Sequence, residues 1–299
     1  MDLDPTDDQA QLLIALDRLL APFESAVHPP EYLLPGDAIE TALEASGFYE
    51  LCRSGGGVDG ALMVERIARL PHAVEIGASG LVAPLLVDHD LPRPIALATG
   101  QPGPPVRHLP RAKTLLVDDG AQVCAIDTSQ LEIHACQTTF GYPCGTARDY
   151  ALAKAERLPV SVARFRCLWR IALAAEISGL ADAALARTTA YVRERHQFGK
   201  PLGALQSIQH RLSECAVIVR SMKVLALKAA ASQSTRDAVM AVVFAQNGLR
   251  QICYDVQQFH GAIGLTLEYP VHYWTQRLRA LQGELGGMSA NAQEFSCTA

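Results

Sequence analysis

Apolar positions recur at helical spacing in the first and last thirds of the chain and gather into short runs between them. Near the start, Leu12, Leu13, Leu16, Leu19 and Leu20 form one stripe, with Thr6 or Asp7 as N-cap, which predicts an amphipathic helix. Leu43, Phe48 and Leu51 predict a second helix, ended near Ser54–Gly57, and residues Leu62 to Ala73 a third. Ala78 to Val87 is a weaker helical stretch, because Pro84 is expected to interrupt it. From about residue 93 to 157 the pattern changes. "RPIALATG", "KTLLVDDGAQVCAID", "QLEIHACQT" and "YALAKAERLP" are brief apolar runs with turn signals such as Asp119-Gly120, which predicts a small antiparallel sheet.

From about residue 158 the period returns to that of helices. Phe165, Leu168, Ala172, Ala175, Gly179 and Ala183 fall on one face, and Leu173, Ile177, Leu180 and Ala184 on another. That helix is expected to be buried on both sides. Leu205, Ile208, Leu212, Cys215, Val219, Met222 and Ala226 mark the next. Ser234 caps a third, which runs through Val239, Val242, Leu249, Cys253 and Val256 to a stop at Gly261 and Gly264; a fourth covers roughly His272 to Leu285. Four long helices with short joints predict an antiparallel bundle. The chain thus divides into an N-terminal helical domain (1–92), a small middle β domain (93–157) and a C-terminal four-helix bundle (158–299), a mainly α fold.

Composition narrows the classes of function. With 299 residues, 49% hydrophobic and 19% charged, the chain is long enough for a sizeable core and too apolar for disorder. A net charge of −5 without a basic stripe argues against nucleic acid. No apolar run approaches the roughly 20 residues of a membrane span. The opening "MDLDPTDDQ" is acidic, unlike a signal peptide, and a cytoplasmic location is expected. The eight cysteines, Cys52, Cys124, Cys136, Cys144, Cys167, Cys215, Cys253 and Cys297, are scattered with no C-x-x-C pair; they read as reduced, packed thiols.

Most candidate chemistry falls away on spacing. "SGGGVDG" follows no strand and lacks the Lys-Ser/Thr of a phosphate-binding loop. Asp88-His89-Asp90 are adjacent and cannot converge on one ion, so they read as a solvated loop, and no metal site is expected. His134, His196, His210 and His260 are isolated and read as packed or surface residues.

One corner is different. In "YVRERHQFGKPLGALQSIQHRLSE" (Tyr191 to Glu214), two helices are broken at Gly199 and Pro201; Arg195 precedes the break, Phe198 sits at it, and Gln206 opens the second helix. A cation at a helix C-terminus is ordinary by itself. A second feature follows in "QFHGAIGLTLEYP" (Gln258 to Pro270), where Gly261, Ala262 and Gly264 permit close backbone approach. An arginine fork suits a diphosphate, and glutamine can hydrogen-bond an adenine or ribitol.

These two stretches resemble the signatures of acyl-CoA dehydrogenases: R-x-x-F-G followed by a Gln, then Q-x-x-G-G-x-G followed by E-Y-P and an arginine-rich helix. "WRIALAAEISGLADAALARTTAY" resembles the helix leading to the first signature. The resemblance covers residues 160 to 287; over the first 157 it is one of element order. It implies an acyl-CoA dehydrogenase-like fold and an FAD-dependent α,β-dehydrogenation of an acyl-CoA thioester. A glutamate takes the α-proton while the β-hydride goes to the flavin. It also implies a flavin shared across a subunit interface, with Arg195, Phe198, Gln206, Gln258, Gly261 and Ala262 holding diphosphate and adenosine. The second glycine of the family pair is Ala262 here.

Departures from the pattern shape the expectation further. The family's base positions fall, by match, on Leu285 and Trp169, neither of which accepts a proton; Glu284 is adjacent but turned by about 100° on a regular helix. The Thr-Glu-Pro…Gly-Ser and Trp-Ile-Thr/Ser stretches that cover the flavin ring are absent, and the middle zone is short. The chain therefore resembles the shortened subunits of heteromeric acyl-CoA dehydrogenases of bacterial steroid and bile-acid side-chain breakdown. That implies a full-length partner in an α2β2 assembly, with the partner supplying the base. The alternatives are a homo-oligomeric enzyme with Glu284 as base and a flavin-free scaffold subunit.

Overall fold

A computed structural model describes residues 5–24 and 31–298, with side chains to residue 294. The thiol of Cys297 and the first four residues of the acidic start lie outside the described residues.

Helix α1 (Asp7–Leu20) opens with a capping box in which Thr6 accepts from the backbone of Gln9 and Gln9 reaches back to Thr6. Strand β1 (Leu34–Pro35) leads into α2 (Asp37–Ala45), α3 (Phe48–Gly55) and α4 (Gly57–Ala68). The single helix expected around Leu43–Leu51 is two, because Gly47 takes a left-handed conformation (φ 71°) between them. The helix expected to reach Ala73 stops at Ala68, and His72–Ala73 instead form β2, paired parallel with β1. Pro84 does not interrupt its helix. Residues Ala78–Val82 widen into a π-helical turn that passes straight into α5 (Ala83–Leu86), with the proline in the first turn of α5, where a missing N–H costs least.

The middle region is not a single antiparallel sheet. Strands β3 (Ile95–Thr99), β5 (Thr114–Asp118), β6 (Val123–Asp127) and β9 (Glu156–Leu158) make a four-stranded sheet in the order β3-β5-β6-β9. Its β3–β5 pair is parallel, with Ile95 opposite Thr114, and the others are antiparallel. Strands β4 (Val106–Arg107), β7 (Ile133–Cys136) and β8 (Cys144–Ala147) form a second, antiparallel sheet in the order β4-β8-β7. The side trip through β4 between β3 and β5 is what allows the parallel pairing.

Helix α6 (Val162–Glu194) is 33 residues long and buried around nearly its whole circumference through its central turns. After the hairpin of β10 (His196–Gln197) and β11 (Lys200–Pro201) come α7 (Gln206–Ser232), α8 (Thr235–His260), α9 (His272–Gln282) and α10 (Gly287–Thr298). Ser234 caps α8 as its position predicts, accepting from the Asp237 N–H. The fourth bundle helix ends three residues before Leu285, and α10 is an additional helix. Small residues set the spacing. At Gly179 of α6, an added Cβ would lie 2.1 Å from the Glu65 carbonyl of α4, so α4 packs directly on the α6 backbone. One hydrophobic core joins the N-terminal helices, one face of the four-stranded sheet and the bundle; a smaller core lies between the two sheets around Leu109, Leu115 and Tyr150. Among the described residues no helix is long and apolar enough to cross a membrane.

Candidate functional site

Two places are candidates for chemistry, one against the N-terminal half of α6 and one at its C-terminal end. The first is a cavity of about 550 Å³ between the N-terminal helices, the β region and the bundle. Its apolar walls come from residues such as Ile76, Ile95, Leu97 and Leu173, and its polar end is built around Arg107 of β4. Arg107 donates through Nη1 to both oxygens of Glu176 (3.1 and 3.3 Å) and through Nη2 to Glu284 (2.9 Å). Its Nε lies 2.6 Å from the other Glu284 oxygen, and its guanidinium lies over the Tyr142 ring at 4.6 Å. The Tyr142 hydroxyl donates to Glu176 at 2.6 Å, and the Trp169 indole N–H donates to Glu284 at 2.8 Å.

Burial alone would lower the Arg107 pKa, but Glu176 and Glu284 beside it hold it well above the ordinary arginine value. Burial and the neighbouring Glu176 push Tyr142 well above its usual range. His108, next in sequence and buried with φ 61°, is held well below the usual histidine range by burial and by the charges of Arg107, Arg111 and Arg277. A third cavity-lining carboxylate, Glu75, is raised by burial to about 7. It accepts from the backbone of Ala78 (2.8 Å) and Ser79 (3.2 Å) and so caps the π-helical turn.

Glu284 reaches this cluster because the backbone leaves the helix. Leu285, Gly286 and Gly287 all have positive φ (55°, 78° and 73°). The turn is held from behind by Gln246, which donates to the carbonyls of Leu281 and Glu284 (both 3.0 Å), and by Asn291, which donates to that of Gly287 (2.9 Å). The 100° rotation expected for a regular helix therefore does not apply. The two sequence positions singled out for a base, Trp169 and the neighbourhood of Leu285, meet in space. The Glu284 oxygens already accept from the Arg107 guanidinium and the Trp169 indole, so the side chain is engaged in a partly buried ion pair. Arg107, Glu176 and Tyr142 were missed by sequence reasoning. Glu176 left one trace, a lone carboxylate inside the apolar run "ALAAEISGLA" on a helix read as buried on both sides.

The second place is the corner after α6. Arg195 ends the helix; its backbone N–H bonds the Tyr191 carbonyl and its carbonyl accepts from the Leu202 N–H, both at 2.8 Å. Its side chain is exposed and, among the described residues, has no hydrogen-bond or ion-pair partner. Phe198 and Gly199 form the two-residue turn of the β10–β11 hairpin, both left-handed (φ 56° and 75°), the geometry of a type I′ turn. Phe198 is 85% exposed. A large side chain in a left-handed turn and facing solvent costs backbone energy and gains no burial within the chain.

Gln206 is the exposed first residue of α7, and Gln258 is exposed in the last turn of α8. Gly261 follows with φ 64° and nothing within 4 Å of an added Cβ, and Ala262 is exposed beside it. Arg211 of α7 donates to Asp255 of α8 (Nε–Oδ1 3.0 Å), and Tyr191 of α6 stacks on His260 of α8, so the three helix ends share one end of the bundle. All six residues of the predicted clamp lie there, and none of them lines the cavity. Glu176 and Arg195 are nineteen residues apart on one continuous helix, which separates the two places by roughly 28 Å. Asp88, His89 and Asp90 are exposed, and among the described residues no cluster of three or more His, Cys, Asp or Glu converges as a metal site.

Comparison with known proteins bears on both places. Residues 168–289 match the acyl-CoA dehydrogenase C-terminal domain. The chain is 32% identical to acyl-CoA dehydrogenase IpdE2 of Mycolicibacterium smegmatis over 114 residues, 38% of this chain and 37% of that protein. In structure it is similar to the Mycobacterium tuberculosis ChsE4-ChsE5 complex (TM-score 0.80, 18% identity, 99% and 98% of the two chains covered). It is also similar to the steroid acyl-CoA dehydrogenase Tcur3481-Tcur3483 (TM-score 0.79, 22% identity, 97% of each chain). The fold is that of acyl-CoA dehydrogenases, and the C-terminal domain belongs to that family. The match lies in that domain, and the chain spans 37% of the length of IpdE2.

Proposed function

We propose that the chain is a subunit of a heteromeric FAD-dependent acyl-CoA dehydrogenase. It supplies the diphosphate and adenosine contacts of a flavin shared with a full-length partner, and the partner supplies the base. The observation that carries this reading is the separation of the two places along α6. Arg195, Phe198, Gln206, Gln258 and Gly261 are exposed, share one end of the bundle and stand roughly 28 Å from this chain's own cavity. A clamp of that kind faces a neighbouring chain. At the cavity end, Arg107 and Trp169 already hold Glu284, which supports a chain that lends binding rather than chemistry.

The residues present fit the group. A free arginine fork suits a diphosphate, two exposed amides suit a nucleoside, and a glycine with open space above it suits close backbone approach. FAD, when bound, supplies the hydride acceptor. Ala262 places a methyl group where the family pair has its second glycine. The names of the structural neighbours, a two-component complex and a steroid enzyme, support a two-component assembly and a steroid-type substrate; an α2β2 arrangement and a steroid side-chain CoA ester complete the proposal.

The test is the absorbance spectrum and native mass of the chain alone and co-expressed with a full-length acyl-CoA dehydrogenase partner. A colourless lone chain and a yellow mixed assembly, whose flavin content falls in Arg195→Ala, is the expected result. Full flavin content in a folded Arg195→Ala complex sinks the clamp assignment. Absence of flavin from every assembly favours a scaffold subunit. One observation favours a second reading: Glu284 does reach the cavity. In a self-sufficient enzyme the lone chain is yellow, bleaches with an acyl-CoA, and loses that bleaching in Glu284→Gln.

A further inference from the structure

Directly behind the exposed corner, three rings from three separate segments close on one another. His260, the last residue of α8, stacks on Tyr191 of α6 with ring centroids 4.5 Å apart and planes at 25°. Tyr269 lies against His260 at 4.8 Å and meets Tyr191 edge-on at 5.2 Å. His260 is 4% exposed. Its Nδ1 sits 2.7 Å from the Val256 carbonyl, so this nitrogen carries the proton and donates. Its Nε2 is buried and, among the described residues, has no hydrogen-bond partner. Gly264 packs against the same side chain, since an added Cβ there would lie 2.7 Å from the His260 Cβ.

Each ring is covalently close to one arm of the clamp. Tyr191 is one helical turn before Arg195, and its carbonyl receives the Arg195 N–H. His260 is followed at once by Gly261 and preceded two residues earlier by Gln258. The Nδ1–H bond to Val256 fixes the imidazole orientation on α8, and the stack then fixes α8 against α6.

Resting on the clamp reading above, we infer that His260 is a positioning residue: through its stack on Tyr191 it holds the Arg195 arm and the Gln258–Gly261 arm at one fixed spacing. It touches no cofactor itself. Removing the ring leaves every clamp side chain in place and lets the two arms drift, so a ligand gripped by both is released faster.

The experiment uses the intact mixed assembly, with flavin content and flavin dissociation rate as readouts and thermal unfolding measured in parallel. His260→Ala is expected to speed flavin loss about tenfold, the order set by one aromatic stack. His260→Phe, which keeps a flat ring, is expected to restore the rate to within about threefold of wild type, since it lacks only the orienting bond to Val256. A purely structural role would lower the melting temperature of both variants and leave the dissociation rate alone. Arg195→Ala is the reference. If it sheds flavin while His260→Ala keeps it at the wild-type rate, the inference fails and the clamp stands. If Arg195→Ala also keeps its flavin, the clamp reading fails first. Should His260→Ala not assemble, Tyr191→Leu removes the stack from the other arm, and wild-type retention in that variant overturns the inference.

Discussion

The indole nitrogen of Trp169 donates to Glu284 at 2.8 Å, joining one position at which the family resemblance places a base to the residue just before the other, Leu285. The donor is a tryptophan and the acceptor a carboxylate already bound to Arg107. Together with Arg107 and Glu176 they form a knot of polar contacts between the β region and the bundle.

That knot is expected to be felt in stability. Glu284→Ala leaves Arg107 with Glu176 alone and removes the acceptor of Trp169, so we expect a loss of roughly 2–4 kcal/mol, below the full cost of an unpaired buried charge. Urea unfolding measures it, and Trp169 emission should shift in the folded state because its polar neighbour is gone. A loss under about 0.5 kcal/mol would place Glu284 among ordinary surface carboxylates.

Phe198 carries a backbone cost that burial within the chain does not offset. Asparagine tolerates the left-handed conformation, and Asn-Gly is the favoured pair for a type I′ turn. Phe198→Asn is expected to stabilise the chain by about 0.5–1 kcal/mol and to weaken flavin retention in the mixed assembly. A variant that is less stable than wild type contradicts the strain assigned to this turn.

Gly179 is where α4 lies on α6. Gly179→Ala forces the added methyl against the Glu65 carbonyl, and about 1–3 kcal/mol of destabilisation is expected from overpacking. Alanine elsewhere on a helix favours it by about 1 kcal/mol over glycine, so a measured gain would mean that the two helices separate more easily than their contact implies.

Burial lowers the pKa values of His72, His108 and His260. In each case the unfolded chain binds a proton that the folded chain refuses. The stability they contribute is present above the unfolded histidine value, about 6.5, and is lost as pH falls from there. Glu75 works the other way: raised to about 7, it favours the folded state most below the unfolded carboxylate value and loses that contribution as pH rises through 7. His108→Asn, which suits φ 61°, removes one acid-sensitive group. Its stability relative to wild type should rise between pH 7 and pH 5, by at most about 1.4 kcal/mol per pH unit. A pH-independent difference in urea midpoints would contradict a neutral, buried His108.

The helices of the bundle were legible because burial repeats along them with a period near 3.6, and α6 announced its double-sided burial through alanine and leucine on both faces. The sites that escaped depend on backbone states that residue identity only weakly encodes. Pro84 is tolerated because a π-helical turn precedes it, and apolar periodicity does not report hydrogen-bond register. The parallel β3–β5 pair depends on β4 being drawn into the other sheet, a non-local choice. The residues assigned to the proposed clamp come from two motifs, but their common position at one end of the bundle rests on the antiparallel run of α6, α7 and α8. Arg107 was invisible, since a two-residue strand in a proline-rich stretch carries no periodic signal. Glu284 ranks only as an alternative base when a regular helix is assumed through Leu285, whereas Gly286 and Gly287 are the local hint that the helix ends before it.

Because α6 runs unbroken from Glu176 to Arg195, it acts as a ruler with an angular scale as well as a linear one. Inserting a single residue between them would advance the corner by about 1.5 Å and swing it by about 100°, turning the residues assigned to the clamp in a new direction while both ends kept their sequences. Inserting seven residues, close to two full turns, would nearly restore the direction and lengthen the reach by about 10 Å. On the proposed reading, the register of this one helix therefore constrains which neighbour the chain can serve, independently of any residue that touches the neighbour.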